Sequence, residues 1–142
     1  MPNKKIGFLI KQVFYLHEQH LNKQFSKFGL TASQTFTLIY LFKSHDKGIS
    51  VNQKDIEKEL DISNPTVTGI LNRLEVKGLI TRVPCRHDAR AKNIEVTEKA
   101  LELDKQLRIV FQQSDEKLVE SFSKEEIDNL QSYLIKILRS NS

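Results

Sequence analysis

Apolar positions recur along this chain at spacings of three, four and one, and twice give way to strict alternation. In residues 4–28 the stripe runs Ile6, Leu9, Ile10, Val13, Phe14, His17, Leu21, Phe25 and Phe28, which predicts a helix. Gly29 ends it, and Thr31-Ala32-Ser33-Gln34 is a capping-box pattern opening a second helix through Phe36, Leu38, Ile39, Leu41 and Phe42. After Ser44-His45-Asp46-Lys47-Gly48, the stretch Ser50-Val51-Asn52-Gln53 repeats that pattern before a short third helix with Val51, Ile56 and Leu60 apolar. Ser63 is placed to cap a fourth helix, where Pro65 is tolerated because first-turn amides have no intrahelical acceptor, and Gly78 ends it. Leu79–Val83 and Asn93–Thr97 alternate on a two-residue period and predict the strands of a hairpin, joined by the polar loop Pro84–Lys92. A long helix then runs from Thr97 to about Phe122, and Ser123-Lys124-Glu125-Glu126 caps a last one bearing Ile127, Leu130, Leu134, Ile137 and Leu138. The predicted class is mainly α: a helix-turn-helix with a two-stranded β-hairpin wing, flanked by further helices.

Length and composition narrow this. A chain of 142 residues with 39% apolar content makes one domain with a core. It has no run near the roughly 18 apolar residues of a membrane span, no secretory pattern after Lys4-Lys5, and a single cysteine, Cys85, so a soluble chain in a reducing cytoplasm is expected. The net charge of +4 permits a polyanionic partner without establishing one. Its surplus lies in the first thirty residues and in the hairpin, where Arg82, Arg86, Arg90 and Lys92 face the lone acid Asp88 between Thr81 and Lys92.

The fourth helix changes the picture most. Val67, Ile70, Leu71 and Leu74 share one face, leaving Asn64, Pro65, Thr66, Thr68, Gly69, Asn72 and Arg73 elsewhere. A merely solvated face favours Lys, Glu, Arg and Gln, which are better helix formers. Short amide and hydroxyl groups suit the DNA major groove, where they meet base edges and the thymine methyl. Gly69 would let the helix axis come close to the groove floor. Arginine at the hairpin tip would enter the minor groove, with Asp88 holding the Arg90 guanidinium by a bidentate pair. The plainer alternatives, capping leftovers and an ordinary basic turn, remain open on these residues alone.

Several stretches together resemble the MarR family of bacterial winged helix-turn-helix regulators. They are Leu30-Thr31-Ala32-Ser33-Gln34, Leu60-Asp61-Ile62-Ser63 with Thr66-Val67-Thr68, Leu74-Glu75-Val76-Lys77-Gly78-Leu79-Ile80, and Asp88-Ala89-Arg90 followed by Ile94 and Val96-Thr97-Glu98-Lys99-Ala100. The resemblance implies a homodimer, with residues 30–97 as the DNA-binding lobe and 1–29 and 98–142 as dimerisation helices. The terminal segments also carry more apolar stripe than so small a domain could bury alone. Two fourth helices about 34 Å apart would reach successive major grooves of a pseudo-palindromic duplex. DNA contacts are expected from the fourth-helix residues above and from Arg82, Arg86, Asp88, Arg90 and Lys92. The family also implies repression of nearby genes, relieved by a small ligand or by oxidation.

For a ligand, the resemblance points to a pocket between dimer helices and lobe that Tyr15, His17, Phe36 and Tyr40 could line, with Phe111. Oxidation sensing in such regulators typically uses a cysteine in the first helix, where this chain reads Phe14-Tyr15-Leu16-His17; Cys85, flanked by Arg82, Arg86 and His87, is the alternative thiol. His17 and His20 could start a metal site, but the long fifth helix adds no histidine, so no metal or cofactor is expected. No nucleophile elbow, phosphate loop or HExxH pattern argues for an enzyme. A winged-helix module that binds protein would instead show large apolar residues on the fourth helix.

Overall fold

The computed structural model describes residues 5–88 and 90–142. Residue 4, where the first stripe was expected to begin, and Ala89 of the wing pattern lie outside them. The elements are α1 (Ile6–Ser26), α2 (Ala32–Asp46), α3 (Gln53–Leu60), α4 (Asn64–Val76), β1 (Ile80–Pro84), β2 (Lys92–Val96), α5 (Glu98–Leu118) and α6 (Lys124–Ser140). The order is the expected one, a mainly helical winged helix-turn-helix.

Local chemistry sets most of the boundaries. Thr31 and Gln34 exchange side-chain and backbone hydrogen bonds at the start of α2, as do Ser123 and Glu126 at α6, so both capping boxes form where the pattern places them. Two other caps differ. At α3 the box is Asn52 with Asp55, two residues later than expected from Ser50. Val51 is buried, and its carbonyl accepts from the Ile94 amide at 2.7 Å while Asn52 bridges to Asn93, so residue 51 is held extended against β2 before a helix can start. At α4, Ser63 holds the N-cap position but makes no capping bond; its hydroxyl pairs with Thr66 Oγ1 at 2.9 Å. The turn between α3 and α4 passes through Asp61 at φ 51, a left-handed conformation that aspartate tolerates better than most residues. The fifth helix ends at Leu118 rather than near Phe122.

β1 and β2 pair antiparallel, with Ile80 opposite Val96 and Pro84 opposite Lys92. Thr97 joins this hairpin to α5: its hydroxyl donates to the Gly78 carbonyl at 2.7 Å and accepts from the Ala100 amide at 3.2 Å. Val67, Ile70, Leu71 and Leu74 are all buried, as their spacing requires, in a core with Leu38, Ile56 and Ile80. Burying each of these aliphatic side chains contributes about 1.5–3 kcal/mol. A second part of the core lies where α1 crosses α5. There Phe25 packs against Phe111 at 5.5 Å between ring centroids and edge-on to Phe36 at 6.3 Å.

Away from this core the apolar stripes are uncovered. Phe14 is 63% exposed and Leu138 70%, and no described residue of α6 is buried. No described helix is long and apolar enough to cross a membrane.

Candidate nucleic-acid interface

Burying four aliphatic residues turns the rest of α4 outward. Asn64, Pro65, Thr66, Asn72 and Arg73 are exposed, and Thr68 and Gly69 are half-buried. Val76, the last residue of the helix, is the one large apolar side chain exposed along it among the described residues, although sequence reasoning expected none. At Gly69 an added Cβ would stand 3.2 Å from Arg73 Nη1, so the room that a side chain would take is bordered by that guanidinium.

The outer face is tied from behind. Gln53, the first residue of α3, donates from Nε2 to Thr68 Oγ1 at 2.8 Å, and Thr68 Oγ1 donates to the Asn64 carbonyl at 2.9 Å. Asn64 Nδ2 donates to Glu57 Oε2 at 3.0 Å. From β1, Arg82 Nη2 donates to Asn72 Oδ1 at 2.8 Å while its Nε stands 3.9 Å from Glu75. Arg82 is thus half-buried and turned onto α4, not projected from the wing as its place in the basic hairpin suggested. Sequence reasoning missed Gln53, Glu57 and Glu75; a periodicity argument has no signal for them, because their partners come together only through the packing of α3 and β1 on α4.

The wing departs from expectation at its turn. Asp88 does not hold the Arg90 guanidinium: its Oδ1 accepts from the Arg90 backbone amide at 3.0 Å, and its carbonyl accepts from the Ala91 amide at 3.1 Å. An aspartate two residues before an amide closes a local turn more readily than it reaches a long side chain. Arg86, Arg90 and Lys92 are exposed. A groove of about 520 Å³ opens between α3, α4 and the hairpin, with Gln53, Asn64, Thr68, Arg82, Arg90 and Lys92 on its walls. Cys85 is half-buried at the start of the wing's turn, where its thiol donates to Asn93 Oδ1 at 3.3 Å.

The four residues expected around a ligand stand in different settings on α1 and α2. Tyr15 is 61% exposed and bonds to Gln19 within α1, while Phe36 lies edge-on to Phe25 with its other side exposed. Tyr40 is half-buried over the core, where burial, and then Asp55 and Glu59, push its hydroxyl above the ordinary tyrosine value. His17 lines a different groove of about 410 Å³ between α1 and α5, with Leu16, His20, Lys23, Ser114 and Lys117. There His17 Nδ1 and Ser114 Oγ are buried without a hydrogen-bond partner. Burial, followed by Lys117 and His17, holds the His20 imidazole below its ordinary value. No group of three potential metal ligands occurs among the described residues.

A model described as the MarR family matches residues 28–91, from just after α1 to the turn of the wing before β2. The HTH-type transcriptional regulator PecS of Dickeya dadantii is 29% identical over 136 residues, which is 96% of this chain and 81% of PecS. MepR of Staphylococcus aureus, a transcription regulator of the multidrug efflux pump MepA, superposes with a TM-score of 0.86 at 29% identity, covering 98% of this chain and 100% of MepR. MepR in its complex with DNA gives a TM-score of 0.76 at 30% identity over 97% of this chain and 99% of that one. These relatives are regulators rather than enzymes, and with such likeness over nearly its whole length, the chain belongs to the MarR family of winged helix-turn-helix transcriptional regulators.

Proposed function

We propose that this regulator binds double-stranded DNA as a homodimer on a pseudo-palindromic operator, and that it represses transcription in a ligand-responsive way. One observation carries the reading. α4 buries its aliphatic face completely and presents Asn64, Thr66, Thr68, Asn72 and Arg73, with no acidic side chain between Asn64 and Arg73. Beside it the exposed Arg86, Arg90 and Lys92 offer cations to the phosphate backbone or to the minor groove. That MepR has been solved in complex with DNA supports a duplex as the partner.

In this reading residues 30–97 form the DNA-binding lobe, and residues 1–29 and 98–142 form the arms that join two protomers in the cytoplasm. The exposed apolar stripes of α1 and α6 support it, because a monomer rarely leaves so much contiguous apolar surface in water. Relief of repression by a small ligand fits the relation of MepR to an efflux pump, and the groove lined by His17 and Ser114 gives such a molecule a place to lie.

Selection of bound duplexes from a random pool tests the proposal. A palindrome whose half-sites lie about one helical turn apart is expected. Recovery of no common sequence, or of a lone half-site, would overturn it.

A further inference from the structure

The α4 face proposed to read base edges does not consist of freely rotating side chains. Asn64, Thr68 and Asn72 lie four residues apart on one ridge, rising about 6 Å from each to the next. Each is held by a side chain from another element, and elementary donor and acceptor rules fix what remains available. A carboxylate only accepts, so the Asn64 atom at Glu57 Oε2 is the amide nitrogen; one N–H of that nitrogen is taken, its amide is fixed in orientation, and Oδ1 is left wholly free to accept. A guanidinium only donates, so the Asn72 atom at Arg82 Nη2 is Oδ1, and the two N–H bonds of Nδ2 are left to donate. Thr68 gives its one hydroxyl proton to the Asn64 carbonyl and accepts from Gln53, which leaves its methyl group as the free surface.

We propose that Glu57, Gln53 and Arg82 are specificity-determining residues that act through α4, fixing which way the Asn64 and Asn72 amides face and so biasing its ridge toward acceptor, methyl and donor from Asn64 to Asn72. The inference rests on the DNA-binding reading above. In chemical terms, Asn64 Oδ1 meets an exocyclic amine, of cytosine or adenine, and Thr68 meets a thymine methyl. Asn72 Nδ2 meets acceptor atoms such as guanine N7 and O6. The two-point pairing of an asparagine with adenine needs Oδ1 and Nδ2 together; the Arg82 bond takes one Oδ1 lone pair and turns the oxygen toward β1, which disfavours adenine at the base pair facing Asn72. Glu75, near Arg82 Nε, helps keep the guanidinium in place. Glu57, Gln53, Asn64, Thr68 and Arg82 all line the groove between α3, α4 and the hairpin, so the network borders the surface a duplex would occupy.

The test is to repeat the random-pool selection with the full chain and two variants, Arg82→Met and Glu57→Gln. Arg82→Met frees the Asn72 amide and is expected to raise acceptance of adenine at one base pair of each half-site by about tenfold. Glu57→Gln can donate as well as accept, so the Asn64 amide can turn over. The variant should blur the preference at a different base pair, about three steps away. Glu57→Gln changes a single atom on a half-buried side chain, so it remains informative if Arg82→Met fails to fold. Unchanged base preferences in a folded variant would overturn the inference, as would an equal loss of affinity on every sequence, the mark of a phosphate contact. If the unaltered protein selects no palindrome, the DNA-binding reading itself fails and takes this inference with it.

Discussion

Asp88 gives its carboxylate to the backbone of the wing, which leaves the Arg90 guanidinium unheld by it. The two roles are separable by substitution. Asp88→Asn keeps an oxygen that can accept from the Arg90 amide and removes a negative charge from the wing; if the wing meets DNA as proposed, fluorescence anisotropy should show operator binding at least as tight as before. Asp88→Ala, which loses the turn, should bind more weakly, as should Arg90→Ala. Equal weakening in Asp88→Asn and Asp88→Ala would restore the ion pair that sequence reasoning expected. His20 makes a smaller prediction. Its imidazole is held below the ordinary 6.5, first by burial and then by Lys117, so the folded state takes up a proton less readily than the unfolded one. Stability is therefore complete above about pH 6.5 and declines as pH falls through that value toward the lowered one. Because the ring is only half-buried the effect is slight, and His20→Gln should flatten the pH dependence of the thermal midpoint in this window; an unaltered profile would contradict the assignment.

Among the elements, α4 carries both kinds of information. Its apolar face was legible because Val67, Ile70, Leu71 and Leu74 repeat at helical spacing, and all four are buried. Leu71→Ala should cost about 2–5 kcal/mol in a denaturant titration, since the site is fully enclosed and cannot collapse freely; a loss below 1 kcal/mol would mean that α4 is not anchored as described. The outer face was legible only in composition. That Thr68 is bonded to Gln53 and Asn72 to Arg82 depends on side chains fifteen and ten residues away, and no local pattern reports such pairs. The cap of α3 shows the same limit. Ser50-Val51-Asn52-Gln53 satisfies the local pattern, yet the bond from Ile94 to the Val51 carbonyl holds the chain extended and moves the cap to Asn52. Where capping depends only on neighbours in sequence, at Thr31 and Ser123, the pattern and the structure agree.

For the whole molecule, the uneven covering of apolar surface is the dominant fact. The lobe around α2, α3, α4 and the hairpin encloses a core, while the first half of α1 stays exposed and no described residue of α6 is buried. Helical periodicity alone anticipated those stripes, because they are local; which stripe meets which across a dimer is a property of two chains and is not written in one. If two protomers join through these arms, their α4 helices are held at a fixed separation and read two half-sites on one side of the duplex. The direct measurement compares affinity for an operator obtained by selection with affinity for the same duplex carrying about half a helical turn, roughly 5 base pairs, inserted between its half-sites. The insertion moves one half-site to the opposite side of the DNA and should reduce affinity to that of a single half-site; equal affinity for the two duplexes would contradict a rigid dimer reading successive major grooves.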